Sequence, residues 1–253
     1  MHDLWRTAAI ALAALVAGAV NAVAGGGTLL TFPTLLAVGI NPVIANATST
    51  VSLWPGSLAG AVGFRRELAR TRHWLAVLLA PSLVGGAAGA VLLLRTPSSL
   101  FRTISPFLVL VAAILLAVQD RFGADLVAAA ERASRRWRAA AVAFQFFVAL
   151  YGGFFGAGIG ILMLAALGVL GVGDIHEMNG LKNFLAICIN GVAAAYFAIS
   201  GAVVWSAVLV MAVAAVAGGY LGASLARRLH PTLVRRGIVL VGIAVAIALL
   251  VTR

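Results

Sequence analysis

From Thr7 to Phe64 the chain carries no charged side chain, yet residues 20–36 read VNAVAGGGTLLTFPTLL. Three consecutive glycines, Gly25, Gly26 and Gly27, interrupt what otherwise reads as a membrane helix. Each glycine costs a helix about 1 kcal/mol relative to alanine. A bilayer offers the backbone no water, so chain that leaves helical geometry at membrane depth must be buried in protein or line a wet cavity. Glycine also supplies backbone angles closed to other residues and lets a helix or ligand approach closely. A broken or re-entrant membrane element is the reading preferred here, with Pro33 loosening it further. The competing reading, close helix packing through small residues, is preferred for GGAAG (85–89) and GGYLG (218–222).

Composition supports a membrane setting. The 253 residues are 63% hydrophobic and only 10% charged, with a mean hydropathy of +1.10; soluble domains carry about 25% charged residues. An all-α polytopic membrane protein is expected. The net charge of +11 sits in short stretches, RRELARTRH (65–73), ERASRRWR (131–138) and RRLHPTLVRR (227–236). That is the bias of cytoplasmic membrane loops, so nucleic acid is not an expected partner. The single cysteine, Cys188, forbids an internal disulfide and a cysteine metal cluster. Residues 7–24 could pass for a signal peptide, but hydrophobicity resumes after the glycines, so an uncleaved first membrane element is expected.

A shift of 133 residues brings scattered features into register without a gap. Gly25 and Gly27 meet Gly158 and Gly160; Asn46 meets Asn179; Gly85, Gly86 and Gly89 meet Gly218, Gly219 and Gly222; Arg95 and Arg102 meet Arg228 and Arg235. Alanine, leucine, valine and glycine dominate the chain, so bare identity is modest evidence, and the register of asparagines and arginines weighs more. Two homologous repeats of about four membrane elements are expected: 1–120 as repeat 1, 121–138 as a connecting basic loop, 139–253 as repeat 2. Each begins with a glycine-broken or re-entrant segment (about 7–40 and 139–172), followed by a span opening at the asparagine (46–64 and 179–198). The stretch 65–73 is basic where its counterpart 199–204 is neutral, which favours inverted halves; a parallel arrangement stays open.

Polar clusters follow each break. Asn46, Ser49 and Thr50 align with Asn179, Lys182 and Asn183. Helix N-termini carry unpaired N–H groups and positive partial charge, so two facing termini would form an anion site. Lys182 is the only lysine in the chain, and an ionisable group within a span is a functional candidate by default; snorkelling to headgroups is the plainer reading. Its expected partners are Asp174, Glu177 or a bound anion. If it were neutral when empty and charged when occupied, it would couple protons to anion movement. Ser57 aligns with Asn190, and both are candidates for the same pathway or for a helix–helix hydrogen bond. Metal and nucleotide motifs are absent from the sequence, so no cofactor or metal is expected.

GAVNAVAGGGTLLTFPTLLAVGINPVIANATSTVS (18–52) and GGFFGAGIGILMLAALGVLGVGDIHEMNGLKNFLA (152–186) resemble the two repeats of the TauE/SafE family, sulfite and organosulfonate exporters. The resemblance covers nearly the whole chain. It implies a duplicated bacterial inner-membrane transporter of small anions. Carried over by residue, it points to Asn46, Thr48, Ser49 and Thr50, to Asn179, Lys182 and Asn183, and to the breaks at Gly25–Gly27, Gly158 and Gly160.

The function expected is a secondary transporter exporting a small anion (sulfite, an organosulfonate or a small carboxylate) by alternating access around a midplane site. A passive anion channel is the alternative. An intramembrane enzyme is not expected, because no paired nucleophile and base appears. Expected partners are the anion, the lipid bilayer and a coupling proton; a homodimer stays open.

Overall fold

A computed structural model describes residues 2–23, 26–61, 70–130, 135–170, 172, 175–225 and 231–251. The described residues form ten helices and no strand: α1 (His2–Val23), α2 (Thr28–Ala37), α3 (Pro42–Ala61), α4 (Arg72–Arg95), α5 (Ser98–Ala130), α6 (Arg135–Phe154), α7 (Ile159–Leu170), α8 (Ile175–Ile199), α9 (Trp205–Leu225) and α10 (Pro231–Val251). Four stretches among them are long and apolar enough to cross a bilayer: Leu4–Asn21, Arg72–Arg95, Ser98–Ala117 and Glu177–Ile199. Large apolar side chains stand exposed on the outer helices, Leu209, Val213 and Tyr220 among them. A water-soluble surface seldom tolerates so much contiguous apolar area, whereas lipid tails cover it at no cost. The chain is a multi-pass membrane protein.

The glycine stretches do break the helices. α1 stops at Val23 and α2 starts at Thr28; α6 stops at Phe154 and α7 starts at Ile159. Three expectations need correction. The spans after the breaks do not open at the asparagines: α3 starts at Pro42 and α8 at Ile175, which puts Asn46 and Asn179 in the second turn of each helix. Asn41 precedes α3 and accepts a hydrogen bond from Val43 N–H (3.0 Å), so a side chain already caps that terminus. Residues 121–130, read as loop, continue α5, and α6 begins at Arg135.

Two crossings show what the remaining glycines do. α1 packs on α9, and α4 on α6. A Cβ on Gly218 would collide with the carbonyl of Leu15, one on Gly18 with that of Ala215, and one on Gly89 with that of Leu150. These helices touch backbone to backbone, the contact that small residues make possible in a membrane. Inside the bundle, Phe32 of α2 meets Phe155 in the second break edge-on at 5.5 Å, and Phe101 of α5 at 6.0 Å. The aromatic cluster joins the two broken elements and sits in the largest buried core.

Where described residues precede both starts, the helices of the second set of five follow those of the first at a similar offset: α7 (159) follows α2 (28) by 131 residues and α9 (205) follows α4 (72) by 133. The contacts repeat crosswise: α1 takes the fourth helix of the second set, α9, and α6 takes the fourth of the first, α4. α3 packs on α8, and α5 on α10.

Candidate functional site

The first break is small, neutral and tied down. Gly26 has φ +92°, a left-handed conformation that costs any residue with a Cβ. Gly27 is there for space instead: a Cβ would lie 2.7 Å from Ala17 O and 2.9 Å from the Asn21 amide. The Gly27 N–H donates to Asn21 Oδ1 at 2.7 Å, so α1 closes the break across its own end. Thr31, one turn into α2, donates to Gly27 O (3.3 Å) and shares a 2.6 Å hydroxyl–hydroxyl bond with Ser49 of α3. Both hydroxyls are fully buried, and their mutual bond avoids the cost of an unmet polar group. Gly25 lies outside the described residues.

The second break spans 155–158. Gly156 (φ +84°) and Gly158 (φ +76°) supply its left-handed angles. Gly160 is not a break residue: it belongs to α7, and a Cβ there would meet Lys182 Cδ at 3.3 Å. The Lys182 stem therefore lies along the first turn of α7, and its Nζ donates to Asn179 Oδ1 at 2.9 Å. A cation beside that terminus gives up favourable dipole energy, and an anion bound between them would restore it. Of the partners expected for Lys182, Asp174 lies outside the described residues, and Glu177 is 4.0 Å from Arg70 Nη1.

Asn46 reaches the other end of this break. Its Nδ2 donates to Phe154 O, the last residue of α6, at 2.9 Å. The side chain is fully buried, and its Oδ1 has no hydrogen-bond partner among the described residues. Asn190 of α8 stands opposite, its Oδ1 3.5 Å from where a Gly156 Cβ would be. Asn46 and Asn190 thus stand at the second break, Lys182 lies along the helix that follows it with Asn179 on its ammonium, and Ser49 stands near the first.

The other candidates serve elsewhere. Thr48 accepts the Val204 N–H (3.1 Å) ahead of α9 and acts as a cap. Thr50 and Ser57 donate to carbonyls of their own helix, those of Asn46 (3.0 Å) and Leu53 (3.3 Å). Asn183 is half-buried on α8. Sequence reasoning missed Asn21, Thr31 and Gly156. Asn21 lies inside the quoted glycine motif, and the 133 shift, which paired Gly158 and Gly160 with the first break, passed over Gly156.

With this geometry in view, comparison with known proteins is decisive about family. The sequence model described as "Sulfite exporter TauE/SafE" matches residues 10–249. The chain belongs to the TauE/SafE family. Similar proteins include a "Probable membrane transporter protein" of Haemophilus influenzae, 27% identical over 230 residues, covering 89% of this chain and 87% of the relative. The "Probable membrane transporter protein YfcA" of Escherichia coli K12 is 27% identical over 241 residues, 94% of this chain and 87% of the relative. The "Probable membrane transporter protein ORF9" of a Sinorhizobium species is 28% identical over 245 residues, covering 94% and 90%. No solved structure matches the chain. Family and relatives alike are membrane transporters.

Proposed function

We propose that this protein is a secondary transporter that exports a small anion (sulfite, an organosulfonate or a small carboxylate) across the bacterial inner membrane. The observation that carries the reading is Lys182, set against the first turn of α7 with its ammonium on the Asn179 amide oxygen. The anion sits between that ammonium and the N-termini of α2 and α7, the two half-helices that follow the breaks. This places the termini differently from the sequence expectation, since α3 is capped by Asn41. The packing around Phe32, Phe155 and buried Asn46 favours a carrier that opens to one side at a time over an open channel.

The two halves are proposed to be inverted repeats, residues 1–120 and 139–253. The similar offsets of α7 from α2 and of α9 from α4 support duplication. So does Trp54 Nε1, which donates to the carbonyl of Ile187 at 3.0 Å across a separation of 133 residues, the repeat offset itself. Equivalent residues meet where a pseudo-two-fold axis passes. Inversion is supported by the ion pair of Arg70 with Glu177. In parallel repeats Glu177 would share a membrane face with Ile44, across α3 from Arg70; inverted, the two residues share one face. The basic stretches 65–73, 131–138 and 227–236 then all lie on the cytoplasmic side.

The test is flux in liposomes holding the purified protein. Labelled sulfite, sulfoacetate and acetate are each offered with and without an ion gradient. Uphill movement of one of them establishes a carrier; movement only down its own gradient establishes the channel; movement of none overturns the proposal.

A further inference from the structure

The second break has two ends of opposite polarity, and the anion accounts for only one. Lys182 attends the positive end, the start of α7. The negative end is the C-terminus of α6, where unpaired carbonyls concentrate about half an elementary charge. There the Tyr151 carbonyl already takes both Phe155 N–H (2.8 Å) and Gly156 N–H (3.2 Å). The Phe154 carbonyl takes Asn46 Nδ2. That bond orients the amide, because a flipped Asn46 would set oxygen against oxygen. Its Oδ1 is then a fully buried acceptor with no hydrogen-bond partner among the described residues. Leaving such an acceptor unmet costs about 1–3 kcal/mol. Asn190 Oδ1 faces the same turn from α8. Tyr151, one helical turn before Phe154, spends its hydroxyl hydrogen on Ala157 O (2.9 Å), so its oxygen keeps only acceptor lone pairs. All of these groups are neutral oxygens that ask for positive charge.

We propose that the C-terminal end of α6, with Asn46 Oδ1 and Asn190 Oδ1 on either side, seats a sodium-sized monovalent cation that moves with the anion's transport cycle. Carbonyl, amide and phenol oxygens are ligands for a hard cation. A divalent ion is disfavoured because calcium and magnesium sites draw on carboxylates, and no cluster of His, Cys, Asp or Glu that could hold a metal occurs among the described residues. The ammonium of Lys182 does not compete for the seat. It is bonded to Asn179, and its residue lies eight positions from Asn190 along α8, about 12 Å. Cation and anion would thus occupy opposite ends of one interrupted helix, each lowering the other's cost of burial. The cation's place in the cycle rests on the transporter reading; its binding does not.

The experiment uses the full-length protein in detergent, with sodium as the probe. Thermal unfolding is followed in NaCl, KCl and choline chloride at equal ionic strength, at about pH 6 and pH 8. Sodium is expected to raise the midpoint saturably where choline does not. Asn190→Ala should weaken sodium's half-saturation at least about tenfold. Asn46→Asp sets a carboxylate against the Phe154 carbonyl, so it should be destabilised in choline and rescued by sodium. Equal midpoints for the wild-type protein in all three salts would overturn the proposal. So would an Asn46→Asp variant rescued by acid alone, which would make the seat a proton's. One equally unstable in every salt would reduce Asn46 to a clasp on α6. If sulfite flux in liposomes persists in choline while no sodium shift appears, the cation site fails and the transporter stands. If sodium stabilises and none of the offered anions moves, the cation site stands and the anion reading falls.

Discussion

The two breaks are each bridged by a side chain of the helix before them, but they differ in what distant helices bring to them. At the first, a side chain of the preceding helix closes the gap: Asn21 accepts the Gly27 N–H, and a hydroxyl pair joins α2 to α3. At the second, Tyr151 of the preceding helix likewise bridges the gap, donating to Ala157 O, but groups from distant helices join it: Asn46 on the end of α6 and Lys182 along the start of α7. The first is neutral and satisfied within its own neighbourhood. The second carries the cation Lys182 and an acceptor unmet among the described residues. The contrast teaches that two similar breaks need not carry the same groups. Only the second has a charged side chain beside it, and on the proposed reading that charge adds to what the two half-helix starts offer the anion.

The comparison can be broken most directly at Lys182. Lys182→Ala should abolish anion flux while the protein still inserts and unfolds cooperatively; wild-type flux would remove the lysine from the mechanism. Gly26→Leu should also stop transport, by straining a left-handed position and crowding Leu29 and Leu116, which a Cβ would already meet at 3.7 and 3.6 Å. Normal anion binding by that variant in a thermal-shift titration would reduce this glycine to packing.

Smaller effects sharpen the contrast. Asn21→Ala should lower stability by about 1–3 kcal/mol, because it strands the Gly27 N–H, with a smaller effect on anion binding than the loss of Lys182. Thr31→Val and Ser49→Ala should each cost about 1–2 kcal/mol, and the double variant less than their sum, since one bond is lost in either case. Additive losses in a denaturation cycle would show that the two hydroxyls do not depend on each other.

Much of this architecture was legible without coordinates because it depends on local physics. Long apolar runs report transfer into lipid, residue by residue. Glycine clusters report where helical geometry fails, and both breaks fall within a few residues of the clusters. The small-residue motifs 85–89 and 218–222 also behave as read, with Gly85, Gly89 and Gly218 allowing backbones to touch. The site was legible only in part. Asn46, Ser49 and Lys182 stand at the breaks, but Thr48 caps the start of α9 and Ser57 bonds within its own helix. Nothing in NATSTVS (46–52) tells Thr48 from Ser49; they differ by 100° of helix rotation, and only the neighbouring helices decide what each one meets.

Sequence alone thus determined that the chain lives in a membrane, that its helices are interrupted and that one lysine stands among arginines. Those properties follow from hydropathy, backbone entropy and residue order, which need no partner. The tertiary structure decided that Asn41 closes the start of α3, that Asn46 grips Phe154 across 108 residues of chain, and that Gly156 rather than Gly160 turns the second break. A hydrogen bond between distant segments depends on where packing puts them, and no local preference encodes that.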